Sequence, residues 1–432
     1  MRFDFFARVN GAASLAALLI SLPGRAQGQA SAPGVLRPVL LGAQVTTVSQ
    51  ASGRDRRTSA SAGLYGGMWL TRHAQFYLDG EYLTGGVIGH GRGFGGEPNG
   101  DAIAPDPGAE ALRPYVARAW LRLTVPLGDE VEDVARGVGQ LPGSQPASRV
   151  DIKVGRMAAT DDFDPNRYGN NARQQFLNIG LSENTAWDYA ADVHGFANGM
   201  AVALIEPRWS LRVGSYLMPI DPPFRGGVSR LQSRGDAVQL SADLGARHTL
   251  VRVMGFHDVG RMSRYTDAIL VARGNPPSLE SVALSGQQKF GGAINVEQPL
   301  SPHGNFGVLA RAGANDGHSD GFTTAEVDRH VSMATQYRLR RVPHRALDYV
   351  GVGIARHWLS AEHRDFLERG GTGFFLDGGA RTGPETIAEA YYRAQLGQWV
   401  QLSLDGQRVR DAGYVRGRGA VTVVGVRAHV EY

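Results

Sequence analysis

The chain has 432 residues, among them 58 glycines and no cysteine, and its 45 Lys+Arg against 41 Asp+Glu leave a net charge of +4 at pH 7. Without cysteine there is no disulfide and no thiolate metal site, and so small a charge, with its basic residues scattered rather than gathered in tracts, excludes a nucleic-acid binder. Glycine at about twice its ordinary share and a mean hydropathy of -0.22 also exclude a bundle of membrane helices.

At the N-terminus, Arg2 and Arg8 precede an apolar run from Gly11 to Leu22. Pro23-Gly24-Arg25 then leads into small residues that permit cleavage after Ala26 or Ala30. This order is that of a secretory signal peptide, assigned to residues 1–30, and its apolar run is too short for a helix to cross a bilayer. The remainder, 31–432, is expected to be one domain. No apolar stretch of 18 residues occurs in it, so a transmembrane helix is excluded.

What recurs instead is alternation with a period of two, the signature of strands with one apolar and one polar face. Phe76, Leu78, Gly80 and Tyr82 oppose Gln75, Tyr77, Asp79 and Glu81. Next, Tyr115, Ala117, Ala119, Leu121, Leu123 and Val125 oppose Val116, Arg118, Trp120, Arg122 and Thr124. The same division runs through Val238–Leu244, Phe290–Val296, Ala388–Leu396 and Val400–Leu404, and ends in Thr422, Val424, Val426, Ala428, Val430 and Tyr432 against Gly425, Arg427, His429 and Glu431. Strands are expected at 37–49, 58–70, 74–84, 113–125, 148–157, 197–206, 208–218, 236–245, 248–258, 289–298, 304–313, 327–338, 347–357, 386–396, 398–409 and 420–432. Short turns alternate with long glycine-rich loops along this series. That pattern predicts an all-β fold, a transmembrane antiparallel β-barrel of 16 strands of the outer-membrane porin type with long extracellular loops, or 18 if Ala268–Ala272 were a strand rather than part of a loop. One connection departs from it: 126–147 should be a short periplasmic turn, and with Glu130, Glu132 and Asp133 beside Val131 and Val134 it reads as a small helix.

A barrel of this size leaves an aqueous channel, so its polar face meets water and solute. That face collects Arg118, Arg122, Arg212, Arg311, Arg393 and Arg427 with Asp79, Glu81, Asp151, Asp243, Glu297, Glu389, Asp405 and Glu431, together with Trp120, Tyr77 and Tyr391. Rings beside guanidinium and carboxylate groups suit a sugar, whose C–H faces stack while its hydroxyls need donors and acceptors. Mixed charge speaks against a strict anion or cation filter. Loop 158–196 is poor in glycine and rich in aromatics and amides, from Asp161-Asp162-Phe163-Asp164 through Gln174-Gln175-Phe176 to Trp187-Asp188-Tyr189, and is expected to fold into the lumen as a constriction. Arg427, His429 and Glu431 should lie below it, near the periplasmic mouth.

Other motifs carry less. Asp161, Asp162, Asp164 and Asn166 have the spacing of calcium ligands but lack the Gly and distal Glu of a calcium loop, so no metal or cofactor is assigned. Gly91-Arg92-Gly93 lacks the strand-to-helix context of a nucleotide loop, and Glu362-His363-Arg364-Asp365 has no nucleophile beside it and reads as a capped turn.

Several segments resemble the carbohydrate-selective porins of the OprB family: Leu359-Ser360-Ala361-Glu362-His363-Arg364-Asp365-Phe366-Leu367, Gly370-Gly371, Gly383-Pro384-Glu385 through Tyr392, Asn171 through Asn178, and Trp187 through Asp192. Arg416-Gly417-Arg418-Gly419 is similar to the run before the last strand but lacks its Asp and Pro. The resemblance implies a sixteen-stranded outer-membrane porin through which small carbohydrates diffuse, with Arg167, Arg173, Trp187, Asp188 and Tyr189 at the constriction. It also implies that Tyr432 is read by the barrel assembly machinery. To these the wall adds Arg118, Trp120, Arg122, Glu389, Tyr391 and Arg393. The other readings are a general or anion-preferring pore and an enzyme or receptor built on a barrel scaffold. Homo-oligomerisation stays open, because lipid-facing and subunit-facing strand faces are both apolar.

Overall fold

A computed structural model of the chain describes residues 39–102, 113–217, 219–221, 225–228, 233–245, 248–321 and 326–432; the expected signal segment, 1–30, lies outside them. Hydrocarbon offers no partner to a backbone amide, so strands that cross it must pair on both sides and the sheet must close. Sixteen strands do so. The wall begins with β1 (Leu40–Ser52), β2 (Asp55–Thr71), β3 (Ala74–Gly85) and β4 (Tyr115–Pro126). A hairpin outside it, β5 (Val131–Val134) and β6 (Gly143–Pro146), precedes β7 (Arg149–Met157), β8 (Ala197–Glu206) and β9 (Trp209–Leu217). A second short pair, β10 (Pro219–Asp221) and β11 (Arg225–Val228), leads to β12 (Arg234–Leu244), β13 (Thr249–Met262), β14 (Leu284–Pro299) and β15 (Phe306–Asn315). The circuit ends with β16 (Arg329–Arg338), β17 (Tyr349–Trp358), β18 (Glu385–Leu396), β19 (Val400–Arg410) and β20 (Val421–Glu431).

Closure joins β20 to β1, in register from Gln44↔Glu431 to Ala51↔Val424. Its final pair uses the last residue: the Tyr432 amide donates to the Ala43 carbonyl at 2.9 Å, and the Ala43 amide donates to the Tyr432 carbonyl at 3.2 Å. The Tyr432 ring packs edge-on against Trp399 at 5.4 Å, within the aromatic band expected at the membrane boundary. Outside, Leu64, Leu78, Leu121, Ile294, Met333 and Ile354 stand 43% to 63% exposed, which is the apolar face a lipid bath requires. Inside, Gln44, Thr46, Gln239, Asn295, Ser332 and Gln407 are polar yet buried, because other parts of the chain fill the lumen beside them.

Three departures from the sequence reading have physical causes. Segment 126–147 is the β5–β6 hairpin, paired from Val131↔Pro146 to Val134↔Gly143, and not a helix. Val131 and Val134 have helical spacing, but Gly137, Gly139, Pro142, Gly143 and Pro146 break a helix and fit a turn. The strands β13 and β14 run beyond the expected 258 and 289, because Leu284-Ser285-Gly286-Gln287-Gln288 rises past the lipid and needs no apolar face. At Asp79 and Gly80 a bulge moves the partner from Arg118 to Val116. Upstream of it the faces of β4 exchange, so Val116 is exposed at 46% and Ala117 is buried. Ala268–Ala272 does belong to a loop, within the helix Tyr265–Ala272, which packs on the helix Ala361–Glu368 through Tyr265 and Phe366 at 5.3 Å. His363 lies on the latter helix and faces Asp328 at 3.0 Å, with Ser360 as the N-cap.

Deleting Tyr432 removes the last closing pair and the ring on Trp399. The expected outcome is a severalfold lower yield of heat-modifiable, folded barrel, with unchanged unit conductance in the molecules that do assemble; a normal yield would show that closure does not depend on this residue.

Candidate functional site: a constriction between loop and wall

Loop 158–196 descends into the lumen because buried wall charges seize its backbone. On β15, Arg311 is 2% exposed. It donates to the carbonyls of Leu181 (3.1 Å) and Gly169 (2.7 Å) and pairs with Asp164 at 3.0 Å. On β18, the Glu389 carboxylate accepts the Leu177 and Asn178 amides at 2.6 and 3.0 Å. On β20, Arg427 donates to the Ala172 and Gln175 carbonyls at 2.5 and 2.8 Å. A guanidinium or carboxylate in such a place is expensive unless it is paired and hydrogen-bonded, and these backbone groups, with the Asp164 carboxylate beside Arg311, supply most of the partners. The approach is close enough to need missing side chains on the wall: a Cβ at Gly307 would stand 2.0 Å from the Tyr168 ring, and one at Gly313 would stand 2.4 Å from Asn184.

A second loop, 86–102, enters from the extracellular side. The Ile179 amide donates to the Glu97 carbonyl (3.0 Å) and the Gly100 amide to the Leu177 carbonyl (2.7 Å), so the two loops are laced together. Gln50 and Gln407 donate to the Pro98 carbonyl at 2.9 and 2.8 Å. At the upper rim, buried Glu385 accepts the amides of Gly95, Gly96 and Gly413.

Between these loops and the wall formed by β1 to β4 lies a cavity of about 440 Å³. Two arginines and four acids form a ladder along it. Arg118 bridges Asp79 (2.9 Å) and Asp161 (2.7 Å), and Arg173 bridges Glu81 (3.0 Å) and Asp101 (2.6 Å). Four carboxylates against two guanidiniums leave the ladder net negative. Tyr115 borders it, donating to Glu81 at 3.0 Å and stacking on His194 at 3.7 Å. Tyr189 borders it too, donating to Glu183 at 3.2 Å. Glu97 also lines the cavity; its Oε1 is withdrawn from solvent and has no hydrogen-bond partner. Burial alone pushes its carboxyl up to about 8.

The residues singled out from the sequence fall into two groups. Arg118, Arg173 and Tyr189 line the cavity. The others sit behind it or apart from it. Trp120 is 3% exposed beneath Tyr77, its stacking partner at 5.1 Å. Trp187 is packed against Phe163 and Tyr189. Asp188 is fully buried against Lys289 at 3.1 Å. Glu389 and Tyr391 are buried as loop anchors, Tyr391 meeting Phe176 edge-on at 5.0 Å. Arg393 donates to the Gln174 carbonyl at 2.9 Å and lies over Tyr349. Arg122 binds Asp151 and Gln145 lower in the barrel, beside the β5–β6 hairpin. Arg167 stays 56% exposed near Glu297.

Asp161, Asp162 and Asp164, whose spacing resembles that of calcium ligands, each turn to a different base: Arg118, Lys153 and Arg311. One expectation is corrected. Glu431 is not below the constriction. Loop residue Gln174 reaches down to it at 2.9 Å, and Glu431 lines the same cavity. The sequence reading missed Glu97 and Asp101, although Glu97-Pro98-Asn99-Gly100-Asp101 stands out in an otherwise glycine-rich loop.

Comparison with known proteins agrees with this architecture. Among solved structures the chain is similar to the high-pH structure of Pseudomonas putida OprB, with a TM-score of 0.70 at 14% identity over 91% of this chain and 94% of that one. It is also similar to the low-pH structure of Pseudomonas putida OprB (TM-score 0.49, 12% identity, 91% and 92% covered). A third is the outer-membrane-expressed OmpT of Vibrio cholerae (TM-score 0.49, 10% identity, 91% and 97% covered). The first of these supports the fold alone. No curated protein matches the chain. The family described as carbohydrate-selective porin, OprB family, matches over residues 24–432, nearly the whole length. With its closed sixteen-stranded wall and its loop-filled lumen, the chain belongs to the carbohydrate-selective porin, OprB family, of the bacterial outer membrane.

Proposed function

We propose that the protein passes small carbohydrates by passive diffusion through the cavity beside Arg118 and Arg173, without a chemical step. The observation that carries this reading is the ladder itself. Its guanidinium and carboxylate groups are already paired at 2.6 to 3.0 Å, and Tyr115 and Tyr189 stand among them. Paired groups stay put and still offer spare donors and acceptors, so a sugar can exchange its water hydrogen bonds for fixed ones while a ring takes its apolar face. Small anions meet a net negative ladder and are disfavoured, which sets this reading apart from an anion-preferring pore. In this reading Trp120, Trp187, Asp188, Glu389, Tyr391 and Arg393 hold the constriction loop rather than touch solute. Residues 1–30 act as the export signal, and the barrel assembly machinery reads Tyr432.

Liposome swelling with the purified barrel should rank monosaccharides above amino acids and small anions of like size. Arg118→Ala and Arg173→Ala should each flatten that ranking by several-fold; equal rates for all solutes in the unaltered protein would leave a general pore. Glu389→Ala strips the acceptor from two buried amides, an effect of about 1–3 kcal/mol on the anchored loop. Larger and noisier single-channel conductance with weaker sugar preference is expected, and an unchanged trace would mean that the loop is held without it.

The Glu97 carboxyl, pushed up to about 8, is protonated at neutral pH and ionises as pH rises through that value, adding a negative charge to the cavity. Reversal-potential measurements should therefore show cation preference growing between pH 7 and 9. Glu97→Gln should remove that growth while leaving the pH 7 value in place.

A further inference from the structure

The lipid-facing side of the wall holds a groove that sugar passage does not use. Across β14, β15 and β16, Gly292, Ala312 and Ala314 present little or no side chain, while Ile294, Val331 and Trp358 stand around them and border a shallow, open depression of about 600 Å³. The groove lies toward the extracellular rim, where β16 begins and β17 ends. Arg329 lines it at that end. Arg356, in register with Val331, holds its guanidinium 5.3 Å above the Trp358 ring. Both arginines are exposed on the outer face, in strands whose exposed positions alternate with buried inward ones. Neither forms an ion pair among the described residues. Asp316, on the same rim, accepts the Phe290 and His318 amides instead.

Two unpaired guanidiniums at the boundary of hydrocarbon and headgroups call for an anion, and the hollow below them calls for an apolar chain. We propose that this groove binds a phosphate-bearing lipid of net negative headgroup charge, with one acyl chain lying over Gly292, Ala312 and Ala314 and the anionic headgroup between Arg329 and Arg356. Guanidinium forks match phosphate oxygens, and a planar guanidinium stacked on Trp358 loses little freedom on binding. The indole of Trp358 belongs at that same depth.

Native mass spectrometry of the full chain in mild detergent tests this, with phosphatidylglycerol, phosphatidylcholine of the same acyl chains, or inorganic phosphate added. The expected result is a phosphatidylglycerol adduct that neither other probe reproduces, reduced roughly fivefold by each of Arg329→Gln and Arg356→Gln. Ala312→Phe, which fills the groove but keeps both arginines, should also lose it. Arg408→Gln, an exposed rim arginine on β19, should retain it, and sugar flux should be unaltered in all four variants. Equal adducts with phosphatidylcholine, full retention in the Arg329→Gln/Arg356→Gln double variant or in Ala312→Phe, or an equal loss in Arg408→Gln would each overturn the proposal.

Discussion

A charge turned into the lumen must be met by an opposite charge or by a backbone group, and the interior of this barrel is arranged around that demand. Arg311, Glu389 and Arg427 are almost fully buried on three different strands. None could be tolerated there alone, since the cost of an uncompensated buried charge exceeds what one hydrogen bond returns. Loop 158–196 supplies the missing carbonyls and amides. The wall therefore does more than enclose the loop; it specifies where the loop's backbone must run, and so where the passage is left open.

The open side is the consequence. Wall strands β14 to β20 are occupied by the loop, down to the Gln174 contact with Glu431. The remaining space lies against β1 to β4, where the arginine ladder stands. From below, the β5–β6 hairpin closes on the same region: Leu141 packs with Leu40, Tyr65 and Tyr77, and Val138 borders the cavity. Arg136 donates to the carbonyls of Leu41 and Tyr432 at 2.7 and 2.8 Å, tying the hairpin to the seam where the barrel closes. The narrowing is thus built from both ends of the pore against one sector of wall.

Period-two alternation made the wall legible almost completely, because each strand must present one apolar face to lipid and that demand is written residue by residue. It failed where lipid no longer imposes it, in the tall ends of β13 and β14, and at the bulge that reverses Val116 and Ala117. The lumen was legible only in kind. Inward charges could be named from parity, but parity cannot tell Arg118, which borders the cavity, from Arg311, which is buried under the loop. That distinction depends on which wall residues the loop covers, a matter of long-range contacts such as Glu389 with Leu177. Aromatics misled for the same reason: Trp120 and Trp187 look like sugar platforms in sequence and serve as packing, whereas Tyr115, assigned to the lipid face, turns to Glu81 above the bulge.

The pairing of the ladder bears on how a selective pore can also be a fast one. An unpaired guanidinium in a narrow, partly desolvated passage would hold an anion tightly and slow its release. Conduction needs contacts favourable enough to admit a solute and weak enough to let it leave. Arg118 and Arg173, each already spanning two carboxylates, cannot act as such traps, yet their side chains stay 15% and 18% exposed, and that of Asp161 24%, in fixed positions, with Asp79 and Glu81 buried behind them. A neutral polyol gains several modest hydrogen bonds there and no strong one. On the proposed passage, the same arrangement that satisfies buried charge would favour a solute whose polarity is spread over many hydroxyls.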